Sequence, residues 1–240
     1  MSGPDLERQF SLAGVEIPAV ALRMNGGETP ELAWRNQLDG LTFRVGEGYL
    51  KWNPASTGVD LGREIARLRW LDGRLPVPRV LEHGVEDGGQ WLLTAAVAGE
   101  TAVAPRWVAR PEEAVRAIAS ALRAVHALPV EELPEELRGA SWFSRRPPAL
   151  GTAPDLVDPV VVHGDACAPN TLLGDDGLWS GTVDVGDLGV GDRWADLAVA
   201  AVSLRWNYGE GYEPLLLDEY GIHPDEERAA YYRALRGLES

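Results

Sequence analysis

The segment that most constrains the fold is residues 160–185, which read VVVHGDACAPNTLLGDDGLWSGTVDV. The GDDG stretch at 174–177 is a strong turn signal between two strand-like runs, 171–173 and 178–185. The chain is therefore predicted to fold back as a hairpin, with position 184 roughly across from position 167. We expect three polar side chains to meet at one corner of this hairpin, namely Asp165, Asn170 and Asp184.

These three side chains fit a metal-assisted reaction. Mg²⁺ prefers a few hard oxygen ligands and keeps room for waters and substrate phosphates. Phosphoryl transfer from ATP requires a group that orients and deprotonates a hydroxyl, a metal that bridges the phosphates, and a cation on the remaining phosphate oxygens. Asp165, Asn170 and Asp184 match the first two requirements.

Lys51 is the candidate for the third requirement, since it is the only lysine among the 22 basic residues. An ammonium is a compact point charge that the planar guanidinium of arginine does not reproduce. Residues 48–52 alternate like a strand, and Glu64 follows in GREIARLRWL, a segment with apolar residues at helical spacing. The pattern predicts a strand lysine facing a helix glutamate, which is the arrangement found in kinases.

With these residues identified, the chain resembles the aminoglycoside 3'-phosphotransferases, a branch of the protein-kinase-like superfamily. The resemblance spans nearly the whole chain, through LTFRVGEGYLKW, GREIARLRWLDGRLPVPRVLEHG, WLLTAAVAGE, HGDACAPN, GTVDVGDLGVGDRWADLA and YGIHPDEERAAYYRAL. It implies an α+β, two-lobed protein-kinase-like fold. Residues 1–98 would form a small nucleotide-binding lobe with an antiparallel sheet, one helix and the hinge, and residues 99–240 a mainly helical catalytic and substrate-binding lobe with a catalytic hairpin.

The resemblance also implies a role for individual residues. Asp165 would be the catalytic base, Asn170 and Asp184 the Mg²⁺ ligands, and Lys51 the phosphate contact with Glu64 as its ion-pair partner. Other roles follow in the same way: Ala95 to Val97 would present backbone groups to adenine, residues 36–42 would form the loop over the phosphates, and His163 and Asp196 would support the catalytic loop.

The activity that the resemblance implies is transfer of the γ-phosphate of Mg-ATP to a hydroxyl, most simply the 3'-hydroxyl of an aminoglycoside, as in antibiotic resistance. The cofactors would be ATP and Mg²⁺, and the partner a small cationic hydroxyl compound. Several acidic positions that hold ammonium groups in relatives are replaced here; they align with Ala168, Trp206, Asn207, Arg236 and Gly237. A kinase for a different hydroxyl metabolite or antibiotic, and a nucleotide-binding regulator without turnover, therefore stay open as alternatives.

Simpler interpretations exist for single residues. Asp and Asn favour turns, and a glutamate early in a helix is usually solvated, so Glu64 alone would carry little weight. Spacing alone does not separate a helix-start role from a site role for Asp192 and Asp196. Cys167, the single cysteine, is predicted to be a small apolar filler. The glycines of Gly46-Glu47-Gly48 are predicted to form a hairpin turn.

Charge and composition exclude some classes of function. The formal net charge of -15 argues against nucleic-acid binding and is compatible with a cationic substrate. We find no signal-peptide pattern and no apolar stretch of the ~20 residues that a membrane helix needs. With one cysteine there is no internal disulfide, so we expect a cytoplasmic enzyme with no membrane partner.

Overall fold

The computed structural model describes residues 14–36, 38–139 and 141–238. These residues form two compact units. The first comprises the described residues up to Arg69 together with Pro78–Ala96, and the second comprises Trp70–Val77 and the described residues from Val97 onward. Each unit has a hydrophobic core of its own.

The first unit is an antiparallel five-stranded sheet with helices. Its strands are β1 (Glu31–Arg35), β2 (Leu41–Val45), β3 (Gly48–Pro54), β4 (Val80–Glu86) and β5 (Gly89–Ala95), in the order β1-β2-β3-β5-β4. Its helices are α1 (Ala19–Met24) and α2 (Leu61–Leu71, which belongs to this unit as far as Arg69), with a 3-10 turn at Ala55–Thr57. The sheet, the strand that carries Lys51 and the helix that carries Glu64 were all predicted; α1 is an additional short helix.

The core of the first unit explains the alternation in its strands. Phe43 on β2 and Leu50 on β3 are paired across the sheet and are fully buried. Val20 and Ala21 of α1 pack into the same cluster. Gly46 has a φ of 54° in the turn that joins β2 to β3, so the GEG segment is the predicted hairpin turn.

The second unit is mainly helical. Its longer helices are α4 (Pro111–His126), α6 (Trp194–Tyr208), α7 (Glu213–Tyr220) and α8 (Glu226–Arg236), and its one-turn helices are α3 (Pro105–Val108) and α5 (Glu135–Arg138). Two small antiparallel sheets complete it: β7 (Val160–Val162) pairs with β10 (Gly189–Gly191), and β8 (Thr171–Leu173) pairs with β6 (Glu100–Thr101) and β9 (Trp179–Thr182). Short 3-10 turns lie at Val130–Glu132, Trp142–Ser144, Pro148–Leu150 and Ala168–Asn170.

The predicted hairpin is β8–β9, but its register differs from the prediction. Thr171 pairs with Thr182, and the register shifts between Leu172 and Leu173. The bulge arises at Ser180, which has no partner in the ladder and donates its hydroxyl to Ala98 O at 2.7 Å. A bulge inserts an extra residue into one strand. The second strand ends at Thr182 rather than at 185. The Thr171–Thr182 pairing, continued along the chain, brings position 184 opposite 169–170 instead of opposite 167.

The core of the second unit is built around α6. Most of α6 is buried, from Trp194 to Leu204, and α4 presents one buried face that includes Val115, Ile118 and Leu122. A helix that is apolar on all sides belongs in a core, whereas an amphipathic helix covers one. Within the described ranges, no helix is long and apolar enough to cross a membrane.

Candidate active site

Asp165 lies in a loop that leaves the buried strand β7, and its partner is Asn170. The Asn170 side chain donates from Nδ2 to the Asp165 backbone oxygen at 2.8 Å and to Asp165 Oδ2 at 3.3 Å. The carboxylate is thus oriented by a neighbour five residues along the chain. Because the amide nitrogen is engaged, Asn170 Oδ1 is the atom left to act as an acceptor or a ligand.

His163 holds the loop from within. Its Nδ1 accepts a hydrogen bond from the Asp165 backbone N–H at 3.1 Å, so the ring proton lies on Nε2, which donates to Val183 O at 3.0 Å. The Val183 backbone N–H in turn donates to Asn170 O at 3.0 Å. These bonds fix the backbone that follows β9 against the loop that carries Asp165 and Asn170.

Asp196 is the anchor of the loop backbone. Its carboxylate is fully buried and accepts hydrogen bonds from His163 N at 2.6 Å and Gly164 N at 2.8 Å. His126 Nε2 lies 2.9 Å from the same carboxylate, and its Nδ1 lies 2.8 Å from Tyr220 Oη. Burial alone would raise the pKa of Asp196, but His126, together with His163 and the Gly164 N–H, more than offsets it and holds the pKa below its usual value.

Gly164 is required by the geometry of the loop. Its φ is +83°, and a Cβ at this position would meet Asp187 O at 2.5 Å. A residue with a side chain would be strained and would also displace the Asp187 backbone. The Gly164 carbonyl accepts from Trp142 Nε1 at 2.6 Å, so this residue is held on both sides.

Asp184 follows β9 and is exposed, with a φ of 60°. Its carboxylate is close enough to Asp165 to raise the pKa of the latter by charge repulsion. In the described segments, no group of three His, Cys, Asp or Glu residues is arranged to hold a metal ion. A cation held by the Asp184 carboxylate and Asn170 Oδ1 would take its other ligands from water and phosphate, an all-oxygen set that suits a hard cation such as Mg²⁺.

Two further groups contact the Asp165 carboxylate. Arg236 Nη2 lies 3.2 Å from Oδ1, and Cys167 Sγ donates to the same oxygen at 3.4 Å. Burial, followed by the charge of Asp184, raises the pKa of Asp165, and Arg236 opposes the rise. Burial and the Asp165 charge raise the pKa of Cys167 well above its usual value. Cys167 is therefore a poor nucleophile. It packs against the core of the second unit as predicted, and its thiol also donates to Asp165.

In the first unit, Lys51 on β3 and Glu64 on α2 form the predicted pair. Lys51 Nζ lies 2.6 Å from Glu64 Oε1, and the side chains are 25% and 8% exposed. Glu64 is therefore a buried ion-pair partner rather than a solvated helix-start residue. The pairing registers place Lys51 in the middle of the sheet, opposite Thr42 and Leu92.

The segments predicted to contact the nucleotide differ in what their backbones can offer. Ala95 ends β5 and donates its N–H to Arg79 O at 2.9 Å, so its N–H is engaged. Val97 makes no backbone N–H bond to any described residue. The segment 36–42 includes Gln37, which lies outside the described residues; around it, Asn36 Oδ1 accepts from Gly40 N at 2.8 Å and closes the turn between β1 and β2.

Sequence reasoning missed two side chains that the structure brings to this site, His126 and Trp142. It noted Arg236 only as a replaced acidic position and did not predict its contact with Asp165. His126 ends an amphipathic helix and lies 70 residues from Asp196 along the chain, and no short-range spacing signals that pairing. Asp192 proves to be a helix-start residue, since its Oδ1 accepts from Trp194 N at 2.9 Å and its other oxygen pairs with Arg228.

Comparison with known proteins gives a consistent picture. The model of the phosphotransferase enzyme family (APH) matches residues 35–238. The chain is 38% identical to an aminoglycoside 3'-phosphotransferase of Streptomyces fradiae over 76% of this chain and 81% of that protein. It is also 34% identical to a streptomycin 3''-kinase of Streptomyces griseus over 82% and 87% of the two chains.

Solved structures are similar as well. Aminoglycoside phosphotransferase APH(3'')-Id of Streptomyces rimosus matches with a TM-score of 0.71 and 29% identity, over 92% of this chain and 96% of that one. The same enzyme has been solved in complex with ADP and streptomycin, and that structure matches with a TM-score of 0.69.

Proposed function

The chain belongs to the APH phosphotransferase enzyme family, and from that premise we propose that it transfers the γ-phosphate of Mg-ATP to the 3'-hydroxyl of an aminoglycoside. The chain is a phosphotransferase by family. The nucleotide, the metal and the hydroxyl position are our proposal.

The observation that carries the proposal is the Asp165 carboxylate, oriented by Asn170 and set beside Asp184 in a loop anchored by Asp196. A carboxylate held in this way can accept a hydrogen bond from a substrate hydroxyl, orient its oxygen toward the γ-phosphate and take its proton. A bound Mg²⁺ would supply charge neutralisation on the phosphate oxygens. We assign Asn170 Oδ1 and the Asp184 carboxylate as its protein ligands.

For the nucleotide we propose residues 1–98 as the binding lobe and residues 99–240 as the catalytic lobe. The Lys51 ammonium, oriented by Glu64, would contact phosphate oxygens. Ala95 would offer its carbonyl to adenine and Val97 its N–H, because the Ala95 N–H already donates to Arg79. A regulator without turnover has no use for an oriented carboxylate such as Asp165, which argues against that alternative.

A second acceptor is favoured by one observation. One of the similar proteins is named streptomycin 3''-kinase, and a similar structure holds streptomycin with ADP. Streptomycin therefore belongs beside kanamycin in any test of the acceptor. The predicted absence of nucleic-acid and membrane partners and the cytoplasmic location stay predictions.

The test is a coupled assay of ADP release with Mg-ATP and kanamycin, streptomycin or a neutral sugar as acceptor. We expect turnover with an aminoglycoside, loss of at least ~100-fold in kcat for Asp165→Asn, and unchanged binding of Mg-ADP by calorimetry. Asp175→Asn is the matched control, since it makes the same chemical change at a 99% exposed position in the hairpin turn. Full activity of Asp165→Asn would remove Asp165 from its assigned role, and turnover of the neutral sugar alone would redirect the acceptor assignment. The position of the phosphate on the product is read by NMR.

A further inference from the structure

Arg236 is the last residue of α8, and it contacts the carboxylate that we assign as the base. The distance from Nη2 to Asp165 Oδ1 is 3.2 Å, and the two side chains are 31% and 28% exposed. Both groups are thus accessible to a substrate while they contact each other. A guanidinium stays charged at all working pH values, so this part of the site carries a permanent positive charge.

The guanidinium is held in place and does not merely extend into solvent. It lies over the ring of Trp142, 5.1 Å from the centroid, and Trp142 donates to Gly164 O in the loop that carries Asp165. The end of α8 is fixed by two backbone bonds, Gly237 N to Ala234 O at 3.0 Å and Leu238 N to Arg233 O at 2.8 Å. Arg236 is therefore a positioned cation.

Arg236 leaves the base able to act. A carboxylate has about four acceptor positions. Arg236 and Cys167 use Oδ1, and Asn170 uses Oδ2. An acceptor hydroxyl can still bond to the carboxylate, and it then comes within a few ångströms of the guanidinium. A substituent on the carbon adjacent to the one that bears this hydroxyl therefore also lies near the guanidinium of Arg236.

We propose that Arg236 is a specificity residue that reads the charge beside the acceptor hydroxyl: it disfavours an ammonium on the adjacent carbon and favours a hydroxyl or an anionic group there. The proposal rests on the proposed function, because it takes Asp165 as the group that receives the acceptor. Like charges at such short range in a partly exposed site change affinity by about ten-fold. The rest of an aminoglycoside can carry its ammonium groups elsewhere, where the acidic net charge of the protein favours them.

Kanamycin A and kanamycin B test this directly, because they differ only at the carbon adjacent to the 3'-hydroxyl, which bears a hydroxyl in A and an amino group in B. The quantity measured is the ratio of kcat/KM for A to kcat/KM for B. We expect Arg236→Gln to lower this ratio by about ten-fold and Arg236→Glu to lower it further. Arg236→Lys should leave the ratio close to that of the wild type, since it keeps the charge.

Arg233→Gln is the matched control. It removes the same charge from the same helix, at a residue that pairs with Glu226. Melting temperatures check that each variant folds. A ratio that is the same in wild type, Arg236→Gln and Arg236→Glu overturns the inference, and so does an equal drop in Arg233→Gln.

The outcomes separate this inference from the proposed function. Turnover of kanamycin with a ratio that does not respond to residue 236 leaves the proposed function standing and rejects the inference. If wild type phosphorylates neither compound, the proposed function fails. The inference is then tested with the ratio of the binding affinities for kanamycin A and kanamycin B, measured by calorimetry. A shift of that affinity ratio with the charge at 236 still supports the inference, whereas absence of binding by every variant overturns both.

Discussion

Lys51 is the chain's only lysine, and its ammonium lies 2.6 Å from Glu64 Oε1 on the neighbouring helix. A guanidinium is larger and planar, so it does not reproduce the compact point charge of an ammonium beside the Glu64 carboxylate. The choice of lysine at this one position, in a chain that uses arginine everywhere else, therefore has a chemical reason.

We expect that neither Lys51→Met nor Lys51→Arg supports normal use of ATP. Loss of a charge-assisted hydrogen bond corresponds to roughly 10- to 100-fold in kcat/KM for ATP. The measurement is steady-state kinetics with ATP varied at saturating acceptor. Arg44→Lys, on the exposed side of the adjacent strand β2, is the control for an arginine–lysine exchange. Wild-type kinetics in Lys51→Arg would mean that charge alone is required here.

Gly164 gives a second prediction at the scale of one residue. Gly164→Ala combines a φ of +83° with a Cβ placed 2.5 Å from Asp187 O, and we expect it to lower the free energy of unfolding by at least about 3 kcal/mol. Gly221→Ala is the matched control, because its φ is +87° in the ordinary left-handed region and no atom lies within 4 Å of the added Cβ. It should cost only about 1 to 2 kcal/mol. Chemical denaturation measures both, and equal losses would show that the contact with Asp187 has no effect.

Among the elements, helix α6 links the core to the site. Its buried side chains hold it in the second unit, and its first turn carries Asp196 beneath the loop of Gly164 and Asp165. Helix α4 supplies His126 to the same carboxylate. The position of the loop therefore depends on how two helices pack, and a buried carboxylate that has three donors is strongly destabilising when one partner is removed.

The charge of Asp196 predicts a pH dependence of stability. Its folded pKa is below the unfolded value of ~3.9, so its stabilisation is fully present above about pH 4 and is lost as the pH falls through the folded pKa. We expect Asp196→Asn to be about 3 kcal/mol less stable than wild type at neutral pH, and the difference to shrink below about pH 4.

Urea unfolding from neutral pH down to about pH 3 measures this difference. Asp175→Asn, which changes a fully exposed carboxylate, should track wild type throughout. A difference between wild type and Asp196→Asn that stays constant over the whole range would show that the Asp196 carboxylate is not stabilised by its charge.

For the whole molecule, the α+β two-lobed kinase-like fold predicted from the sequence is confirmed by the similarity to solved aminoglycoside phosphotransferases. The net charge of -15 is a property of the entire surface. Such a charge attracts polycations and repels anions at long range, and at ~0.1 M salt both effects are largely screened beyond about 10 Å.

We therefore expect kcat/KM for kanamycin to fall several-fold as NaCl rises from about 0.02 to about 0.5 M. The KM for Mg-ATP should stay constant or decrease over the same range, because its charge has the opposite sign. Fully N-acetylated kanamycin, which is uncharged, is the control and should show no decrease. A parallel fall in kcat/KM for the charged and the uncharged acceptor would mean that salt acts on the enzyme itself and not on the association of the enzyme with its acceptor.

The sequence by itself determined the features that depend on neighbouring residues. The turn at 174–177, the strand that carries Lys51, the helix that carries Glu64 and the spacing of Asp165 to Asn170 are encoded locally, in turn residues and in apolar periodicity. These features indicated the chemistry, since local geometry fixes which side chains leave a strand or a turn together. The fold class followed from the resemblance of the segments that carry them to the aminoglycoside 3'-phosphotransferases.

Only the tertiary structure decided which distant side chains complete the site. Arg236 contacts Asp165 across 71 residues, and His126 contacts Asp196 across 70. At the bulge that shifts the hairpin register, Ser180 likewise contacts Ala98, 82 residues away. Such pairs form because helices α4, α6 and α8 and the hairpin pack against one core, and packing depends on shape and volume, which leave no periodic pattern along the chain.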